Sequence, residues 1–302
     1  MKEAKQDLHS LMILRHGKVV SEQWFGDNTA DKPHPLWSIS KTFTATAIAF
    51  AISEGKLKIT DKVISFFPDK LPPTISDNLN KMEIRHLLTM SSGHDTAPND
   101  VRFTQGRDWV AGFLAAPIVH EPGNFFVYNS MASYILSAII QKVSGEKLIG
   151  YLTPRLFQPL GIEGVTWEES PQGINAGGWG IAVKTEDMAK LGVFISQKGI
   201  WKSERLLPED WFNEATAWHI PSRPAGVRPE SINLDTKEID WLQGYCYQMW
   251  RGRHDTYRAD GTGGQYILFI PDKDAIIVTT AFVESMQEEL DLIWKYLLPA
   301  FN

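Results

Sequence analysis

The sequence predicts an α+β fold: an antiparallel sheet flanked by helices, built from both chain ends, with an inserted, mainly helical lobe between them. Residues 11 to 25, Leu-Met-Ile-Leu-Arg-His-Gly-Lys-Val-Val-Ser-Glu-Gln-Trp-Phe, read as two strands around a His16-Gly17 turn. Toward the other end, Gln265 to Ile270 and Ala275 to Phe282 are strand-like, joined by Pro271-Asp272-Lys273-Asp274, and a helical pattern follows to about Leu298. Hairpins at both ends that share one sheet leave the middle of the chain to helices.

The first hairpin leads through a polar loop to a run, Thr42 to Ile52, that is apolar on nearly every side and so predicts a buried helix. Helical patterns follow near 82 to 91, 106 to 116, 130 to 144, 146 to 157, 185 to 198 and 208 to 217, punctuated by proline and glycine. A stretch rich in Pro, Ser, Arg and Asp then predicts a long surface loop at the border of a binding cleft. The expected organisation is one unit over 1–302. Its sheet lobe takes about 1–60 and 240–302, its helical lobe about 61–218, and the surface loop about 219–239.

Composition narrows the function. With 302 residues, 43% hydrophobic and 22% charged, the chain can bury a large core. A net charge of -6 without a basic run argues against nucleic acid, and no apolar stretch reaches the ~18 residues of a membrane span. Cys246 is the single cysteine, set in an apolar sequence that predicts a buried thiol and excludes an internal disulfide. The first residues, Met-Lys-Glu-Ala-Lys-Gln-Asp, lack the apolar core of a secretion signal. Neither His-Glu-x-x-His nor paired Cys-x-x-Cys occurs, so no metal and no cofactor is implied, and a small-molecule ester, amide or peptide is the expected partner.

Ser38 and Lys41 are the first candidate chemistry. Residues three apart on a helix share a face, so hydroxyl and amine can meet there. Ser-x-x-Lys also occurs at Ser53/Lys56 and Ser144/Lys147, but those two enclose a glycine and read as helix ends. Only Ser38/Lys41 opens a buried helix, where desolvation lowers a lysine pKa from its ordinary value of roughly 10.4 toward neutrality. The competing reading makes Ser38 a helix cap and sends Lys41 to water.

Tyr128-Asn129-Ser130 sits at a loop-to-helix junction, which can point a phenol and a hydroxyl into a cleft; a tyrosine that shares its proton with a lysine acts as base and then as acid. Ala259-Asp260-Gly261-Thr262-Gly263-Gly264-Gln265 leads into a strand, and its glycines let backbone N–H groups approach a developing oxyanion. Eleven tryptophans, Trp167, Trp179, Trp241 and Trp250 among them, serve core or cleft wall, with Trp179 in a glycine-rich loop the candidate for the pocket. A Ser-His-Asp alternative lacks a Gly-x-Ser-x-Gly elbow; His16 and His254 read as turn residues and His86 as a satisfied structural histidine.

The order Ser-x-x-Lys, Tyr-x-Ser, Gly-rich strand resembles the serine hydrolases related to penicillin-binding proteins and class C β-lactamases. Leu87-Leu88-Thr89-Met90-Ser91-Ser92-Gly93, Phe157-Gln158-Pro159-Leu160-Gly161-Ile162 and Gly177-Gly178-Trp179-Gly180 are similar to further motifs of that family. The resemblance implies a β-lactamase/transpeptidase-like fold and a periplasmic or secreted location. It implies Ser38 as acylated nucleophile, Lys41 as its proton partner and Tyr128 as base. It also implies an oxyanion hole from the N–H groups of Ser38 and Thr262, with Ser130, Gly261 and Asp260 beside the substrate. Ser130 stands where class C enzymes have asparagine, and Ala259-Asp260-Gly261 where they have Lys-Thr-Gly or His-Thr-Gly, whose lysine or histidine helps hold a substrate carboxylate. Arg258, Arg251 and Arg253 are the candidates to replace that cation. The expectation is therefore an esterase or amidase working through an acyl-enzyme. A true β-lactamase, a D-Ala-D-Ala peptidase and a non-turnover penicillin-binding sensor are the alternatives.

Overall fold

The computed structural model describes residues 6–103, 108–224, 226–227 and 238–301. Its strands are β1 (Leu8–Arg15), β2 (Lys18–Trp24), β3 (His34–Pro35), β4 (Thr166–Trp167), β5 (Ile181–Val183), β6 (Ile200–Trp201), β7 (Glu204–Arg205), β8 (Trp250–Arg251), β9 (Tyr257–Gly261), β10 (Gln265–Ile270) and β11 (Ala275–Ala281). The main sheet has six strands in the order β2-β1-β11-β10-β9-β8, every pairing antiparallel. The two chain ends meet where β1 pairs with β11, Ile13 opposite Ile277. The expected α+β architecture is the observed one.

Both faces of the central strands are covered, which is why β10 and β11 are buried along their whole length. Period-two alternation divides their side chains. Ile267, Phe269, Ile276 and Val278 join the main core, while Tyr266, Leu268, Ile270 and Ile277 meet Leu290, Ile293 and Trp294 of the C-terminal helical segment. β2, by contrast, is an exposed edge.

The helices are α1 (Ser40–Ser53), α2 (Asp77–Lys81), α3 (Ile84–Leu88), α4 (Trp109–Ala115), α5 (Ser130–Ser144), α6 (Leu148–Leu152), α7 (Gln158–Leu160), α8 (Thr185–Ser196), α9 (Glu209–Ala215) and α10 (Met286–Leu292). Each expected helical segment has its counterpart, most of them shorter. A π-helical turn at Thr153–Phe157 continues α6, and another at Ile293–Leu297 continues α10. From Ser40 to Ala51 every residue of α1 is buried, as an all-round apolar helix requires. The Ser53 and Ser144 patterns are helix ends, the latter closed by left-handed Gly145.

One segment differs from expectation. Ala259 to Gly261, expected as part of the entry into the strand at Gln265, belongs to a strand of its own, β9, and the glycines that follow form the turn between β9 and β10. The predicted loop at 219–239 falls partly on residues 225 and 228–237, which lie outside the described residues.

Candidate active site

Ser38 lies in a short 3-10 turn, Trp37–Ile39, that runs directly into α1. Trp37 holds φ at 49°, a left-handed value that is costly for an aromatic residue. The turn is tied down by Ser40, whose hydroxyl donates to the Trp37 carbonyl at 2.6 Å and accepts from the Ile181 N–H at 3.2 Å. Ser38 thus remains partly exposed while its neighbours on the helix are buried. It is not the helix cap: the cap positions fall on Leu36 and Ile39.

Lys41, one turn on, is 1% exposed and does not reach water. Its Nζ lies 2.9 Å from Ser38 Oγ, 3.1 Å from Ser130 Oγ and 2.6 Å from the Gly178 carbonyl oxygen. Burial brings its pKa down to about 7, with Asp260 opposing and Arg102 assisting the shift. A residue that sequence reasoning predicts to be desolvated is therefore surrounded by acceptors and divided between amine and ammonium near neutral pH.

Local chemistry explains each partner. Asn129, not Ser130, caps α5, its side chain accepting from the N–H groups of Met131 and Ala132, and that leaves the Ser130 hydroxyl for Lys41. Gly178 must be glycine: a Cβ there would sit 2.6 Å from the Ser130 carbonyl oxygen, and the loop would lose its contact with Lys41. Tyr128 hydrogen-bonds Ser38, stacks on Trp250 at 5.1 Å between ring centroids, and has Lys41 Nζ 4.8 Å above its ring. Burial, with Asp260 adding to it, pushes the phenol well above its ordinary pKa, so it stays protonated at neutral pH.

Gly261 allows the closest approach of the sheet to the serine. A Cβ on it would fall 2.2 Å from the Leu36 carbonyl oxygen, so only hydrogen at this position lets β9 pack on the turn that carries Ser38. Thr262 follows at the exposed turn and lines, with Ser38 and Tyr128, two adjoining cavities of about 450 and 210 Å³. Ser130 and Arg223 line the larger; Asp260, Trp241 and Trp250 line the smaller.

Three expectations meet a different arrangement. Trp179 lines neither cavity; its indole donates to Glu168 Oε2 at 3.2 Å and lies under the Arg102 guanidinium. Ala259 is buried in the main core, because alternation along β9 sends it and Tyr257 inward and leaves Arg258 and Asp260 on the opposite face. None of the three arginines proposed to replace a lost lysine lines the cavities. Arg258 is fully buried with its Nε 3.3 Å from Asp260 Oδ2, Arg253 pairs with Asp240, and Arg251 donates to backbone carbonyls. The Gly178 carbonyl and the buried Arg258–Asp260 pair are the parts that sequence reasoning missed. The glycine-rich loop was the only signal for the first, and charged residues two apart on a strand the only one for the second.

The remaining candidates fall out of the chemistry. His86 Nδ1 accepts from the Glu83 N–H, and burial lowers its pKa to about 4, as a structural histidine would have it. Cys246 is buried. Among the described residues, no group of three or more His, Cys, Asp or Glu is placed to hold a metal, and no helix is long and apolar enough to cross a membrane.

An antiparallel sheet packed against a serine–lysine helix, with a tyrosine junction opposite, defines the class, and the family model named Beta-lactamase matches residues 5–296. The chain belongs to the Beta-lactamase family. It is 21% identical over 287 residues to the 6-aminohexanoate-dimer hydrolase of Paenarthrobacter ureafaciens, covering 89% of this chain and 71% of that one. It is 25% identical over 177 residues to Protein flp of Staphylococcus aureus, where the match spans 53% of this chain and only 35% of the relative's length. The octameric penicillin-binding protein homologue from Pyrococcus abyssi superposes with a TM-score of 0.75 at 20% identity, over 99% of this chain and 75% of that one.

Proposed function

We propose that this chain is a serine hydrolase that cleaves small esters or amides through an acyl-enzyme on Ser38. The observation that carries the reading is the 2.9 Å contact between Lys41 Nζ and Ser38 Oγ in a buried setting that brings the lysine pKa to about 7. A neutral amine has two N–H donors and one lone pair. The donors suit the Gly178 carbonyl and the Ser130 hydroxyl, which leaves the lone pair for the Ser38 proton. As Oγ adds to the substrate carbonyl, Lys41 takes that proton, and the N–H groups of Ser38 and Thr262 stabilise the oxyanion. Tyr128, protonated, passes its phenolic proton to the leaving group and is reprotonated from Lys41, a circuit that needs no tyrosinate. Water then attacks the acyl-enzyme along the same route.

The substrate carboxylate of a penicillin finds no ready partner in the smaller cavity, where the charged wall is Asp260. In the larger, the Arg223 guanidinium donates to the Phe126 carbonyl and stacks over Phe125. Short neutral esters are therefore the preferred class over β-lactams and D-Ala-D-Ala peptides. The test is twofold. A fluorophosphonate should label Ser38, seen by peptide mass spectrometry, and p-nitrophenyl acetate should turn over faster than nitrocefin. An adduct on another serine overturns the mechanism; rapid nitrocefin hydrolysis overturns the substrate preference.

A further inference from the structure

The two cavities beside Ser38 have different walls. Ser38, Tyr128, Thr262 and Pro224 line both, so the reacting hydroxyl stands where they adjoin. Asp95, Asn99, Ser130 and Arg223 belong to the larger alone, and Trp241, Trp250, Met286 and Asp260 to the smaller alone. Asp260 is the one charged wall residue of the smaller cavity among the described residues, and it is already partnered. Its side chain is 7% exposed, its carboxylate pairs with buried Arg258 at 3.3 Å, and it accepts from the Trp241 indole. A ligand in the smaller cavity therefore meets aromatic carbon and a thioether.

These walls are held in place. Trp250 packs against Tyr128, Tyr245 and Phe126 at 5.1, 4.9 and 5.7 Å between ring centroids, and Trp241 carries the Arg258 guanidinium over its ring at 4.5 Å. A wall fixed before the ligand arrives loses little freedom on binding, which favours a ligand of matching size. An apolar cavity of about 150 Å³ holds benzene. One of about 210 Å³ has room for a phenyl ring or a chain of about six carbons.

Proton delivery decides which half of a substrate goes there. Lys41 Nζ reaches both Ser38 Oγ and Ser130 Oγ, and Ser130 lines only the larger cavity. A leaving group must be protonated as it departs, so it belongs on that side, among the polar side chains. The acyl group is left for the smaller side. We infer that the smaller cavity is an acyl pocket, which selects neutral esters or amides whose acyl part is a phenyl or medium-length alkyl group and makes Trp241, Trp250 and Met286 specificity-determining residues. The acyl assignment rests on the proposed serine chemistry; the binding of an apolar group in the cavity does not.

Two measurements separate these statements. For the full chain, kcat/KM is measured with p-nitrophenyl acetate, butyrate, hexanoate and decanoate. It should rise at least ~10-fold from acetate to hexanoate, since even one methylene in an apolar pocket is worth about that much, and by less than about twofold beyond, where the pocket is full. Met286→Trp, which fills the cavity, should cut the hexanoate-to-acetate ratio at least ~5-fold, a ratio that a general loss of activity does not move. In Ser38→Ala, titration of tryptophan fluorescence should give hexanamide a Kd at least ~10-fold below that of acetamide. No rise from acetate to hexanoate, an undiminished rise to decanoate, or an unchanged ratio in folded Met286→Trp overturns the acyl assignment, and equal Kd values overturn the cavity as a binding site. If Met286→Trp does not fold by circular dichroism, the ester series and the amide pair decide. An unlabelled Ser38 with the hexanamide preference intact sinks the hydrolase reading and leaves the pocket; a labelled Ser38 without any length preference does the reverse.

Discussion

At the scale of single residues the site depends on one amine without its proton. Lys41 has a pKa of about 7, so its base-competent fraction grows as pH rises through neutrality. The expected kcat/KM for a neutral ester ascends with pH and levels off above an apparent pKa near 7, measured from about pH 5.5 to 8.5. A flat profile over that interval, with the chemical step limiting, removes Lys41 as base. Lys41→Ala and Tyr128→Phe should each lower turnover by at least ~100-fold, the usual scale for losing a general acid or base. Near wild-type rates in both would remove their roles. The pairing of Ser38 with Lys41 was legible because it is local, three residues on one helix face. Ser130 as a lysine partner was half legible, since a serine at a loop-to-helix junction can equally be spent on capping the helix. The Gly178 carbonyl was not legible: which backbone oxygen a buried lysine meets depends on how a distant loop packs against α1 and α5, not on any local pattern.

Among elements, the decisive contact is between β9 and the turn before α1. Gly261→Ala places a methyl carbon 2.2 Å from the Leu36 carbonyl oxygen, both of them backbone-held, so the strand or the turn must move. Shifting Ser38 against Thr262 would misalign the two N–H groups proposed for the oxyanion hole, and removing one such donor costs roughly 100-fold or more in kcat. Gly261→Ala is accordingly expected to lose turnover in that range while KM changes little, in a protein that still folds by circular dichroism. An unchanged kcat would mean that the approach of strand to turn has no catalytic use. The outer hairpins and α5 were readable from sequence because each carries a full periodic pattern with its own stop signals. β9 was not, because Arg258 and Asp260 interrupt the apolar signal while Gly261 weakens the strand propensity. Its strand character comes from pairing with β10, where Asp260 stands opposite Tyr266, and such pairing is fixed by the sheet as a whole.

For the whole molecule, the buried lysine is a cost to stability. An unfolded lysine holds its proton up to roughly pH 10.4, whereas folded Lys41 releases it at about 7. Between those values the unfolded chain binds more protons than the folded one, so unfolding free energy rises with pH across this window. Below about pH 7 both states are protonated and the full penalty for the buried ammonium applies; above about 10.4 it has gone. Lys41→Met, with a side chain of similar length and no charge, removes the penalty and should be more stable than the native chain at low pH. The stability gap between them should shrink by about 3 kcal/mol from pH 6.5 to 9.5, as the native chain recovers and the variant does not. Urea melts of both proteins at the two pH values measure it, and comparing the two chains cancels the buried tyrosines and Glu289, which titrate in both. Parallel pH dependence in the two proteins would mean that Lys41 keeps an ordinary pKa in the folded state. The same result would deprive Ser38 of its base, so a stability measurement on a protein that never sees substrate tests the chemistry proposed for the site.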